Sequence, residues 1–203
     1  MCKPTNLQFG SYQGLYDYFN KELFKNELSN CILNFSRKKQ NNGGHFSPNR
    51  WTSKEHGVCH EINLNPKGYC FSDHKRLISV LVHEMAHCWQ QDFGSPSRNG
   101  YHNKEWGAKM ESIGLMPSNT GKPEGKRTGQ QMTHYIIEGG LFDVAYERMP
   151  EGLYLPFKSF ESPTVKKSSN KCKFSCPSCG DNAWGKPTLY IMCGGCELKM
   201  TLA

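Results

Sequence analysis

The 203-residue sequence predicts an α+β fold with a small metal-stapled unit at its C-terminal end. Three observations carry that expectation. Helical and strand patterns run in the order helix, strands, helix, helix, short strands, without the regular alternation of an α/β chain. The stretch Leu77 to Phe93, LISVLVHEMAHCWQQDF, has apolar residues at helical spacing and contains His83-Glu84-Met85-Ala86-His87. Two Cys-x-x-Cys pairs, Cys176/Cys179 and Cys193/Cys196, close the chain.

Bulk properties narrow the class. A hydrophobic fraction of 36% with 21% charge suits a globular chain of one sizeable core plus an appendage. No apolar run reaches the roughly 18 residues of a membrane span. The start, MCKPTNLQFG, lacks an apolar h-region, so no secretory signal is expected and the reading is intracellular and cytoplasmic. A net charge of +7 and a pI near 8.9 favour an anionic partner, nucleic acid first. Of the ten cysteines, Cys2, Cys31, Cys59, Cys70 and Cys88 are scattered and read as small hydrophobes or free thiols, not as a disulfide framework.

Taken in order, residues 11–28 place Leu15, Tyr18, Phe19, Leu23 and Phe24 on one stripe behind a Ser11 cap, an amphipathic helix. Cys31 to Phe35 alternates as a strand. Arg37-Lys38-Lys39 and Asn41 to Gly44 mark a turn before a second strand, Gly44 to Trp51, interrupted by Pro48. Val58 to Leu64 alternates as a third, with His60-Glu61 read as strand residues beside the core; Asn65 to Gly68 ends it. The His83/His87 helix starts near Ser72-Asp73 and stops at Gly94. A further helix spans Asn103 to Ile113. Residues 116–127 read as loop, and Met132 to Ile137 with Leu141 to Tyr146 as a hairpin around Gly139-Gly140. The Pro-, Ser- and Lys-rich run after Glu147 reads as a linker. The expected domains are 5–150, a linker over 151–170, and a Cys-rich unit over 171–203.

The chemistry sits first on the central helix. At about 3.6 residues per turn, His83 and His87 stack on one face and can share a metal ion. Glu84, about 100° round the helix, reaches a water without being a ligand. That division of labour belongs to zinc hydrolases. A catalytic zinc takes three protein ligands and keeps one position open. Six other histidines are available, and His102 is the best candidate because it opens a short helix after a compact loop.

HEMAHCWQQDFGSPSRNGYHNKEW, preceded by HEINLNP and followed by GKRTGQQMTHYIIEGG, resembles the SprT-like metalloprotease family. The resemblance covers most of residues 10–145, and a C-terminal zinc ribbon is its usual companion. It implies a zincin-like domain, a small sheet packed on helices, with His83, His87 and His102 as zinc ligands and Glu84 as general base. Spartan-type relatives cleave proteins crosslinked to DNA. By that similarity the chain is expected to be a zinc endopeptidase in which Glu84 activates a zinc-bound water, then protonates the leaving amine. His134, Tyr135 and Tyr101 are the candidates for a second oxyanion donor. Glu105 and Asp92 are candidates to orient ligand imidazoles, and Trp89 and Trp106 read as core.

Thirteen residues separate Cys179 from Cys193, a spacing at which Cys176, Cys179, Cys193 and Cys196 converge on a tetrahedral structural zinc. Gly180 and Gly194-Gly195 permit the knuckle turns, Thr188 to Met192 reads as the connecting strand, and Cys172 as a spare. The cofactor expectation is thus one catalytic and one structural zinc. Lys166, Lys167, Lys171, Lys173, Lys186 and Lys199 make this end basic, with Trp184 and Tyr190 as stacking faces for DNA or as aromatics packing the ribbon. The expected partners are a protein substrate and DNA. The competing reading is a nucleic-acid-associated or transcription-related binding factor with little peptidase activity. A small-molecule zinc hydrolase fits the motif but not the ribbon.

Overall fold

Tyr12, Leu15, Tyr16 and Phe19, buried along one face of the first helix, set the core of the front of the chain. The computed structural model describes residues 3–36, 43–65, 74–98, 100–158 and 171–203, and these fall in two compact units, Met1–Phe160 and Glu161–Ala203. Several expected features lie outside the described residues: Arg37-Lys38-Lys39 with Asn41-Asn42, Pro66 to Gly68, the Ser72-Asp73 cap, Lys166 and Lys167, and residues 159–170 of the linker.

Helix α1 (Pro4–Phe24) begins at Pro4, not at Ser11. Proline is favoured at a first helical position because its missing N–H has no intrahelical partner there. The helix stops at Lys25, which adopts the left-handed conformation with φ 57°.

Strands β1 (Cys31–Phe35), β2 (Gly44–Ser53) and β3 (Gly57–Leu64) form a sheet in the order β1-β3-β2. β3 runs parallel to β1 and antiparallel to β2. As the central strand it is buried on both faces from His60 to Leu64, so the alternation read for it describes only part of its environment. Val58, near the strand's start, is 60% exposed. Glu61 is buried and accepts from Asn34 Nδ2, Trp51 Nε1 and Asn63 Nδ2, which makes it a sheet anchor. The β2–β3 pairing slips between Ser47 and Trp51, where Pro48 has no N–H to offer.

Helix α2 (His74–Phe93) carries the His83/His87 motif and packs on β2, β3, α1 and α3 (Lys104–Ser112). None of the described helices is long and apolar enough to cross a membrane. After α3, Leu115–Ser118 is a strand, β4, where loop was expected, and it pairs with β5 (Thr133–Ile136).

The expected strand Leu141 to Tyr146 is instead helix α4 (Leu141–Glu147). A short apolar run satisfies both periods, and burial of Phe142 and Ala145, three residues apart, decides for the helix. Gly139 turns at φ 66°, and its N–H is held by Asp143 Oδ2 at 2.8 Å. The Gly139-Gly140 turn therefore leads into a helix rather than joining two strands. A 3-10 turn, Glu151–Leu153, follows, and Leu155 is buried in the same core.

The second unit has a sheet β10-β6-β7 built from β6 (Cys172–Ser175), β7 (Asn182–Gly185) and β10 (Thr201–Leu202). A two-stranded piece pairs β8 (Met192–Cys193) with β9 (Leu198–Lys199). Phe174, Cys176, Cys193 and Met200 are its small core. The strand expected over Thr188 to Met192 shrinks to its last residue plus Cys193, because Pro187 and Thr188 turn and Leu189 N–H bonds back to Lys186 O. The secondary structure is thus mixed α and β, and a four-cysteine unit follows in sequence.

Candidate metal centre

His83 and His87 project from α2 one turn apart, and His102 reaches them from the loop before α3. One nitrogen from each of the three lies within 4.8 Å of the others. His102 is held by a β-bridge to Gly129, its N–H donating to Gly129 O at 2.9 Å and its own carbonyl accepting at 3.1 Å. Asn103 caps α3 by accepting from Trp106 N at 3.0 Å and accepts from Gln90 Nε2 at 2.8 Å, which ties α3 to α2. The fully buried Trp106 indole floors the cluster, its ring centroid 4.9, 5.1 and 4.4 Å from those of His83, His87 and His102.

The tautomers follow from the hydrogen bonds. Ser79 O–H donates to Arg76 O at 2.7 Å, so the Ser79 oxygen accepts from His134 Nε2 at 2.8 Å. His134 Nδ1 is then an acceptor, and His83 Nδ1 lies 3.1 Å from it as the donor. His102 Nδ1 donates to Gly129 O at 3.2 Å. In both ligand candidates Nδ1 carries the proton and Nε2 keeps a free lone pair, the arrangement outer-shell partners impose on metal-binding histidines.

Burial keeps the donors neutral. It pushes His83 well below its ordinary pKa, helped by His87, His134 and His102, and lowers His87 to about 3 with help from His102. His102 is lowered by burial against the opposing bonds to Gly129 and Gly100. Three neutral imidazoles with one nitrogen each gathered within 4.8 Å are a donor set that fits zinc. Glu84 is also buried, which raises its carboxyl to about 8, while the Phe46 backbone N–H pulls the other way.

The cluster opens on a cleft of about 1250 Å³ lined by Gly44, His45 and Phe46 of β2, by His83 and Glu84 of α2, and by Tyr101. Of the oxyanion candidates, His134 has both ring nitrogens engaged and cannot donate into the cleft. Tyr135, its neighbour on β5, is not among the cleft-lining residues, and Tyr101 is. Glu105 and Asp92 orient none of the three imidazoles. Glu105 binds Gln90 and Ser95, and Asp92 binds Ser29 and His60. Ser79 was not singled out from the sequence, although its place four residues before His83 puts the two on one helix face.

The family profile of the SprT-like family matches residues 12–129. This chain belongs to the SprT-like family. The SprT-like match spans β1 to β3, all of α2 and α3, and the histidine cluster. A Salmonella typhimurium protein described as "Uncharacterized protein in mucB 3'region" is 37% identical over 54 residues, 27% of this chain and 72% of that one. No solved structure matches.

The second unit of this SprT-like protein brings Cys176, Cys179, Cys193 and Cys196 together, with one sulfur of each within 4.8 Å of the rest. Both knuckles close by the same bond, Gly180 N–H to Cys176 O at 3.1 Å and Glu197 N–H to Cys193 O at 2.8 Å. The residue after each second cysteine is left-handed, Gly180 at φ 76° and Glu197 at φ 52°. Glu197, and not Gly194 or Gly195, therefore bears the strained angle of the second knuckle. Backbone N–H groups of Cys179 and Ser178 lower the Cys176 thiol to about 7, towards the thiolate a metal needs. Cys172 stands outside the four, on β6 opposite Gly185. Trp184 and Tyr190 are 64% and 69% exposed, so Phe174, and not either aromatic, packs the unit.

Proposed function

We propose that this SprT-like chain is a zinc-dependent endopeptidase acting on DNA-associated proteins. The observation that carries the reading is the convergence of three neutral imidazoles beside a buried carboxylate, in one cleft bordered by a sheet edge. His83, His87 and His102 would hold the catalytic zinc, and Cys176, Cys179, Cys193 and Cys196 a structural one. When bound, zinc supplies Lewis acidity that polarises a peptide carbonyl and acidifies water.

The remaining work falls to the chain's own groups. Glu84, with a proton affinity raised towards neutrality by burial, takes a proton from the attacking water and returns it to the leaving amine. The Phe46 N–H aims that carboxylate. β2 is an edge strand, and its Gly44 to Phe46 segment lines the cleft, which suits an extended polypeptide laid along that edge. Of the three candidates for a donor to a developing oxyanion, Tyr101 lines the cleft and is assigned that role in this proposal. Exposed Trp184 and Tyr190, with Lys199 Nζ 4.9 Å from the Tyr190 ring centre, support stacking on single-stranded DNA.

The test is cleavage of a DNA-bound protein by zinc-loaded wild type beside Glu84→Gln. Faster cleavage by wild type is expected; equal rates would overturn the peptidase reading.

A further inference from the structure

A second polar cluster, separate from the histidines, joins α2 to the start of β1. The Cys88 sulfur lies 3.7 Å from the Cys31 sulfur and 3.6 Å from Asp92 Oδ2. Asp92 accepts from Ser29 N–H at 3.1 Å and sits 3.1 Å from His60 Nε2. The Tyr16 hydroxyl oxygen is 3.7 Å from the Cys31 sulfur. Cys88 is fully buried and Cys31 half-buried.

His60, Cys88 and Asp92 are close enough to share a metal, but the imidazole is turned the wrong way. The Asn49 backbone N–H donates to His60 Nδ1 at 2.9 Å. Nδ1 is thus the acceptor, and the ring proton of neutral His60 must be on Nε2, the atom facing Asp92. That proton occupies the lone pair a metal would take. Asp92 accepts from His60, Ser29 and the Cys88 thiol, and the Cys31 thiol donates to Ser29 O at 3.6 Å, so the cluster is closed to a metal while the two sulfurs stay in contact at 3.7 Å.

We propose that Cys31 and Cys88 form a reversible dithiol–disulfide site that responds to peroxides, with Cys31 oxidised first and Cys88 resolving it. Exposure sets the order in this proposal, because Cys88 is fully buried while Cys31, at the start of β1, is only half-buried. Geometry sets the product: the sulfurs are in contact and need only close to about 2.0 Å.

The steps balance. The Cys31 thiolate attacks one peroxide oxygen, the O–O bond breaks, a sulfenic acid forms, and hydroxide leaves as water once protonated. The Cys88 sulfur then attacks the Cys31 sulfur; the S–S bond forms, the S–O bond breaks, and hydroxide departs with the Cys88 proton as water. Two thiols lose two electrons, and hydrogen peroxide is reduced to two waters. The bridge ties β1 to α2 one residue beyond His87.

The experiment treats the zinc-loaded full chain with hydrogen peroxide, alkylates free thiols and maps all ten cysteines by peptide mass. A Cys31–Cys88 crosslinked peptide that dithiothreitol abolishes is expected. Cys88→Ala should leave Cys31 as a dimedone-trappable sulfenic acid, and Cys31→Ala should leave Cys88 unmodified. Should Cys88→Ala fail to fold, the Cys31→Ala result decides the order. Both thiols remaining free at peroxide levels that oxidise other cysteines would overturn the proposal. So would a metal ion bound in wild type beyond those of the two sites above and lost in Cys88→Ala.

Discussion

The Nδ1 atoms of His83 and His134 face each other at 3.1 Å in the interior, with His134 only 2% exposed. The contact ends a polar relay that runs from Arg76 O through Ser79 and His134 to His83, and it leaves His83 Nε2 as the free ring nitrogen. A buried chain of this kind stabilises only when every member is satisfied. Here each donor has one acceptor.

Removing the relay should loosen the metal without touching a ligand. His134→Ala is expected to weaken zinc binding about 10–100-fold, the usual effect of losing an outer-shell partner. Ser79→Ala should cost less, because His134 Nδ1 can still accept. Competition against a chromophoric chelator measures both, and an unchanged affinity in His134→Ala would show that His83 needs no such support.

Glu84→Gln should abolish peptide cleavage while the chain retains its zinc. The amide keeps the size of the carboxylate but cannot take a proton. Metal content by elemental analysis, run beside the cleavage assay, separates loss of the base from loss of the site.

The two metal centres should fail independently. Cys193→Ser/Cys196→Ser is expected to unfold the second unit, whose buried core among the described residues is Phe174, Cys176, Cys193 and Met200, and to leave the histidine site loaded. About two zinc ions per chain should fall to about one by the ligand counts of such sites. Loss of both would contradict two separate centres.

Gly114 should resist substitution. It turns at φ 87°, and a Cβ there would come within 2.7 Å of Phe142 N and 2.8 Å of Leu141 N. Gly114→Ala is expected to destabilise the first unit by at least about 1–3 kcal/mol, since backbone cannot yield as a side-chain tip can. Urea unfolding followed by tryptophan fluorescence reads the shift in midpoint.

The DNA reading has its own check. Binding of single-stranded DNA should weaken as salt rises, because lysines release counterions, and Trp184→Ala should weaken it at every salt concentration. Salt-independent binding, or none, would remove the proposed role of the exposed aromatics.

How far the sequence reaches is clear from particular residues. His83 and His87 lie one turn apart on a strongly patterned helix with Glu84 beside the first, and the two Cys-x-x-Cys pairs have knuckle spacing, so both constellations were legible locally. The short elements were not. Leu141 to Tyr146 satisfies a strand and a helix period alike until Phe142 finds the core, and Leu115 to Ser118 becomes a strand only because β5 arrives beside it.

The sequence by itself determined which residues could hold metal ions, because helical pitch and knuckle spacing are local geometry. Only the tertiary structure decided how they are poised. Which nitrogen of His83 is free depends on His134, 51 residues away, and the Glu84 carboxylate is aimed by an N–H on another element. The meeting of Cys31 with Cys88 is likewise a product of packing. Protonation and orientation are set by neighbours distant in sequence, which no local pattern encodes.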